Sequence, residues 1–115
     1  QGLKMQNQRL TKLFEFLESD PNDSFILYAI ATEYNVQNDA ENALKYYLEL
    51  REKHPDYVGT YYHLGKLYEK LAKKEEAISV YQTGMNAARQ KRDMHALSEL
   101  QGAYNTAAGL DYEDD

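Results

Sequence analysis

Cysteine is missing from the 115 residues. Its absence excludes disulfides, thiol nucleophiles and thiolate-built zinc sites, and leaves the redox compartment undecided. Proline and glycine are scarce, at two and six residues, too few breakers for a β-rich fold. No stretch approaches the ~18 uncharged apolar residues of a membrane span. No basic-then-apolar leader opens the sequence, so a cytoplasmic setting is expected; Gln1-Gly2 reads as a tag remnant and is set aside. Positive charge is in deficit: 13 Lys and Arg against 19 Asp and Glu give a net charge of −6. An acidic surface repels phosphate backbones, so nucleic acid is not expected as a partner; with no spanning segment, neither is a membrane. Phosphate-cradling glycine loops and the HExxH metal motif are also lacking. His54, His63 and His95 fall in three different segments and read as surface or helix-end residues. Carboxylates such as Glu75-Glu76 read as solvated helix faces, and none pairs with a nucleophile. No catalytic residue, metal or cofactor is expected.

What is present is helical period. Six segments, Leu3–Ser19, Asp23–Val36, Asp39–Lys53, Tyr57–Leu71, Lys74–Gln90 and Asp93–Gly109, carry apolar residues at i, i+3, i+4, i+7 spacing. Short connections force neighbouring helices to pack antiparallel. Asp23 or Ser24 can cap the second helix and Asp39 the third. Asn38 stands where a left-handed residue would end a helix, and Pro21 and Pro55 follow helix ends. Residues 110–115 carry no pattern; their acidic run predicts a frayed tail.

Shifted by 34 residues, the sequence matches itself. Leu27 meets Tyr61, Tyr28 meets Tyr62, Ile30-Ala31 meets Leu64-Gly65, and Tyr34 meets Tyr68. Ala43 meets Ala77, Tyr47 meets Tyr81 and Pro21 meets Pro55. Two helices per fixed period indicate a stacked repeat. Ala31, Ala43, Gly65 and Ala77 are small where paired backbones approach most closely, and large neighbours fill the flanking gaps.

These positions resemble the tetratricopeptide repeat family. The first repeat reads Leu27, Ile30-Ala31, Tyr34, Ala43, Tyr47, Leu50, Pro55; the second reads Tyr61, Leu64-Gly65, Tyr68, Ala77, Tyr81, Gly84. The resemblance implies an all-α, right-handed α-solenoid of antiparallel helix pairs, about six helices in a single domain. Its parts would be an N-terminal flanking helix at 3–19, repeats at 24–57 and 58–91, a capping helix at 93–109 and the acidic tail. Arg89 stands in place of the second closing proline, and Leu50 is bulkier than the usual small residue. The segment from Met94 resembles a third first-helix with Gln101 at the close-packing position, as befits a cap. In the first segment Leu10, Leu13, Phe14 and Leu17 form the expected buried stripe.

Eleven tyrosines divide by register. Tyr34, Tyr47, Tyr68, Tyr81 and Tyr104 hold signature positions and are expected in the core, with Tyr46 facing outward. Tyr28 and Tyr62 follow core positions by one residue, a direction that the resemblance assigns to a concave groove. The implied groove set is Phe25, Tyr28, Thr32, Asn35, Tyr62, Lys66, Glu69, His95 and Ser98. It would receive a peptide or helix of a partner protein in a non-catalytic scaffold or adaptor. The family's carboxylate clamp is not carried over, because only Lys66 supplies its chemistry. Lys66, Lys70, Lys73 and Lys74 read as a solvated helix end, or as a draw for an acidic segment such as residues 111–115 of another copy. Homodimerisation, or an accessory role in a larger protein or complex, are the alternatives.

Overall fold

The computed structural model describes residues 2–110, and side chains from residue 8 onward. The expected tail at 111–115 lies outside the described residues. Six helices follow in order: α1 (Gly2–Ser19), α2 (Ser24–Val36), α3 (Ala40–Lys53), α4 (Gly59–Lys70), α5 (Lys74–Lys91) and α6 (Met94–Ala107). There is no strand among the described residues. The contacts divide into two compact units, Gln1–His54 and Pro55–Asp115.

Three helices start on aspartate. Asp23 Oδ1 accepts from the Ile26 amide at 3.0 Å, Asp39 Oδ1 from Asn42 at 3.2 Å and Asp93 Oδ1 from Ala96 at 3.0 Å. Each bond satisfies an amide that the first helical turn leaves without a partner. Entry to α4 differs: Val58 offers no capping oxygen. The chain instead tightens through Thr60 N–H to Tyr57 O and Tyr61 N–H to Val58 O, both 3.2 Å. The helix accordingly begins two residues later than its apolar period predicts. Glu75 and Glu76 in the first turn of α5 complement the helix dipole where no side chain caps it.

Helix ends repeat one device. The amides of Asp39, Lys73, Asp93 and Leu110 each bond the carbonyl five residues back, at 2.7–2.9 Å. A residue at positive φ precedes each: Asn38 at 63°, Ala72 at 62°, Arg92 at 58° and Gly109 at 75°. Asn38 matches its sequence-based expectation; Ala72 and Arg92 carry no such mark, and a Cβ is strained there. Ala72→Gly is expected to stabilise the fold by about 1 kcal/mol, because relief of that strain outweighs glycine's extra freedom in the unfolded chain. Urea unfolding would show a higher midpoint at unchanged m; a lower midpoint contradicts it.

In the first unit, Leu27, Ile30 and Ala31 of α2 meet Ala43, Tyr47 and Leu50 of α3, all fully buried. Helix α1 lies on α2 through Leu10, with Leu13, Phe14 and Leu17 half-buried. Tyr46 does not face outward. Its ring stacks on Tyr34 at 5.9 Å and 16° and meets Phe14 edge-on at 5.8 Å. Burial raises the hydroxyl pKa of both tyrosines, with Tyr46 adding to the shift at Tyr34 and Glu49 to that at Tyr46.

In the second unit, α5 is the centre, packed by α4 and by α6. Tyr61, Leu64 and Gly65 on α4, Ala77, Tyr81, Gly84 and Ala88 on α5, and Leu100 on α6 are enclosed. Two glycines permit the approach. A Cβ at Gly65 would overlap the Tyr81 ring, and one at Gly84 would lie 2.5 Å from Tyr61 Cβ and 3.2 Å from Leu100 Cδ1. Tyr61 also anchors the entry loop by donating to the Pro55 carbonyl at 2.5 Å. Of the tyrosines expected in the core, Tyr47 and Tyr81 are fully buried, whereas Tyr34, Tyr68 and Tyr104 are half-buried. These three sit toward the C-terminal parts of their helices.

Candidate functional site

The expected binding residues fall into both units. On α2, Phe25 is 66% exposed, and Tyr28, Thr32 and Asn35 are half-buried. Tyr28 meets the Tyr47 ring edge-on at 6.4 Å between centroids. Thr32 Oγ1 lies 3.1 Å from the Tyr47 hydroxyl, so its polar group is engaged within the fold. Burial lifts the Tyr47 pKa to about 12, against a lowering by the Thr32 bond.

On α4, Lys66 Nζ sits 5.6 Å from the Tyr62 ring centre, a cation–π contact. Tyr62 also meets His63 edge-on at 5.7 Å. Tyr62, Lys66 and Ser98 share a cavity of about 450 Å³ between α4 and α6, with Gly102 and Thr106 on its α6 wall. Ser98, Gly102 and Thr106 recur every four residues, which places them on one helix face. Open space lies where a Gly102 side chain would stand.

Glu69 is committed to the fold. It accepts a hydrogen bond from the Tyr81 hydroxyl. Burial first, then the bond to Glu69 and its charge, push the Tyr81 pKa far above the usual tyrosine range. His95 is exposed in the first turn of α6, with Nε2 3.8 Å from Glu99. Neither Asn35 nor His95 lines the Tyr62 cavity or the cavity beside Phe25. His63 departs from its expected surface or helix-end place: it is half-buried in mid-α4, and burial lowers its pKa against a smaller opposing effect of Glu99.

The two repeats use one tyrosine position differently. Tyr47 and Tyr81 lie 34 residues apart, yet Tyr47 bonds Thr32 on α2 and Tyr81 bonds Glu69 on α4. The residues matching Thr32 and Glu69 are Lys66 and Asn35. Gly65 lets the Tyr81 ring cross the α4 backbone toward Glu69. Ala31 holds that place in the first repeat, and a methyl group in the Gly65 geometry would overlap a ring taking the same path.

Sequence reading misses one pair, Arg9 and Glu33, joined at 3.3 Å between α1 and α2. Glu33 is buried where the second repeat has Leu67. The signal available was the register: a carboxylate at a position that the period makes apolar. Among the described residues, no group of three His, Cys, Asp or Glu side chains is placed to hold a metal ion. No described helix is long and apolar enough to cross a membrane.

The tetratricopeptide repeat family profile matches residues 26–57 and 60–83. The solution NMR structure of a tetratricopeptide repeat domain protein from Salinibacter ruber is similar over 84% of this chain and 97% of that one, at 47% identity and a TM-score of 0.75. A crystal structure of a tetratricopeptide repeat domain protein from the same organism covers 77% of this chain and 100% of its own, at 48% identity and a TM-score of 0.74. A MamA crystal structure, with 17% identity, a TM-score of 0.71 and coverage of 95% of this chain and 58% of its own, shares the fold. No curated protein matches. Repeats of this kind are generally non-catalytic and bind protein partners. The 34-residue period, the antiparallel helix pairs and the likeness across nearly the whole Salinibacter domain converge, and the chain belongs to the tetratricopeptide repeat family.

Proposed function

We propose that the chain is a non-catalytic interaction module that binds a peptide or helix of a partner protein through its first-helix faces. The Tyr62–Lys66–Ser98 cavity carries this reading. It joins an aromatic ring, a lysine with its ammonium against that ring, and a helix wall thinned by Gly102. Aromatic rings offer large contact area at low entropy cost, and a lysine adds orientation. Phe25 and Tyr28 supply the matching aromatic pair on α2. Glu69 and Thr32 serve the fold, holding the tyrosines on which these faces rest.

Gly102→Leu tests the reading without injuring the fold. A side chain there meets open space, and leucine gains up to ~1 kcal/mol of helix propensity over glycine. Peptides selected from a phage-displayed random library on the unaltered chain should shift the amides of Tyr62, Lys66 and Ser98. Gly102→Leu should hold or raise the melting temperature while weakening those peptides about tenfold, or 1.4 kcal/mol. A library that yields no binder, or binders indifferent to Gly102→Leu, rejects the cavity as a docking site.

A further inference from the structure

Helix α1 stands to α2 as α5 stands to α6. The Phe14 ring meets the Tyr34 ring at 6.5 Å between centroids, and the residues at the matching places, Gln82 and Tyr104, are joined at 3.4 Å. The match follows the repeat: Phe14 leads through Leu48 to Gln82, and Tyr34 through Tyr68 to Tyr104. The α5–α6 pair holds a third helix, α4, against both of its members. In the first unit no helix takes that place on the α1–α2 pair. What stands there is a cavity of about 360 Å³, with Leu13 on its α1 wall and Phe25, Tyr28 and Ala29 on its α2 wall.

The helices also show which faces are left over. Ala43, Tyr47 and Leu50 of α3, like Ala77, Tyr81 and Gly84 of α5, are buried against the first helix of their own repeat. One period before Ala43, Tyr47 and Leu50 stand Arg9, Leu13 and Phe16. Arg9 and Phe16 are 61% and 54% exposed, and Leu13 is half-buried. Helix α1 is thus a second helix whose first-helix face is uncovered. Helix α6 is the reverse case, a first helix with no second helix of its own among the described residues. Its Leu97 and Gln101 match Tyr61 and Gly65, the α4 residues that meet Gly84 and Tyr81 of α5. Tyr61 and Gly65 are enclosed, whereas Leu97 is half-buried and Gln101 exposed.

Charge favours pairing of the two open faces. Residues 2–14 hold Lys4, Arg9 and Lys12 and no acid, and residues 105–115 hold Asp111, Glu113, Asp114 and Asp115 and no base. An antiparallel pair of α1 and α6 brings these opposite charges to one end. It also sets Arg9 toward the C-terminal carbonyls of α6, where a cation is favoured.

We infer that α6 of one copy seats in the α1–α2 cavity of a second copy, pairing with α1 as α4 pairs with α5, so that two chains complete one repeat. This goes beyond the peptide-binding reading and does not rest on it. Arg9 and Phe16 are bulkier than Ala77 and Gly84, so α6 sits less deeply than α4 and the contact is reversible. The two surfaces differ, and every copy carries one of each.

Sedimentation velocity of the intact chain, from about 10 μM to about 1 mM, tests it. The weight-average mass is expected to climb with concentration from 13.3 kDa. Phe16→Glu spoils only the α1 face and Gln101→Glu only the α6 face. Both positions are exposed, so each variant should keep the melting temperature of the unaltered chain. Alone, each should associate at least tenfold more weakly, or 1.4 kcal/mol. Their equimolar mixture should recover association and stop at twice 13.3 kDa, because one open α6 face and one open α1 face remain. A mass that stays at 13.3 kDa throughout overturns the inference. So does a mixture that associates no better than its components, which marks a contact between like surfaces.

Discussion

Above pH 10 the chain is expected to lose stability at least twice as steeply as a protein with one buried tyrosine hydroxyl, with Tyr47 and Tyr81 as the main sources. Burial, opposed by the Thr32 bond, raises Tyr47 to about 12. Burial, with the bond to and charge of Glu69, raises Tyr81 further. Unfolded tyrosines ionise near pH 10. Past that point the unfolded chain holds fewer protons than the folded one, so the free energy of unfolding falls as pH rises. The stabilisation is complete below pH 10 and is lost as pH climbs toward and beyond the folded pKa values. Each hydroxyl contributes about 1.4 kcal/mol per pH unit in that interval, hence about 2.7 for the pair. Urea midpoints at pH 9, 10, 11 and 12 measure the slope. Tyr34 and Tyr46, also raised by burial, add a further share, so Tyr47→Phe and Tyr81→Phe should each lower the slope, and the double substitution more than either; a slope unchanged by both contradicts the assignment.

Gly84→Ala should destabilise the second unit by about 2 kcal/mol, despite alanine's ~1 kcal/mol advantage in helix propensity. The added methyl would sit 2.5 Å from Tyr61 Cβ and 2.9 Å from its Cγ. Those atoms lie next to the α4 backbone and cannot swing aside as the far end of a side chain can. Relief requires α4 and α5 to separate, which also strains the Tyr61 hydroxyl bond to Pro55. Leu100 Cδ1 at 3.2 Å blocks a shift toward α6. Chemical denaturation should report a lower midpoint. A stability equal to that of the unaltered chain would mean the helices are not seated as closely as described.

The helices were legible because two codes agree: apolar period and aspartate caps. Asp23 and Asp39 name their own helix starts, as Asp93 also does in the structure. The start of α4 was not legible, because Val58 announces nothing and the entry is made by backbone turns. Nor do Ala72 and Arg92 declare a left-handed backbone; for Ala72 only its distance of 34 residues from Asn38 hints at it. Tyr46 escaped because the period of α3 registers its own neighbours, whereas Phe14 arrives from α1. At the candidate site, Tyr62, Lys66 and Ser98 were readable as residues set beside core positions, and one cavity joins them. Glu69 and Thr32 have the register of partner-facing residues, yet each bonds a tyrosine, and ring direction is a packing outcome that no periodicity encodes. Glu33 is not legible because carboxylates are almost always solvated, and only its register marks it as buried.

The exchange of Ala31 for Gly65 reaches further than the interior it occupies. One hydrogen in place of a methyl redirects a phenol, and the phenol determines which neighbour is spent on internal bonding. Duplicated hairpins can therefore come to display unlike chemistry outside through a change made within. Divergence of ligand preference between tandem copies is then to be sought at their smallest concealed side chains as well as along their visible rims.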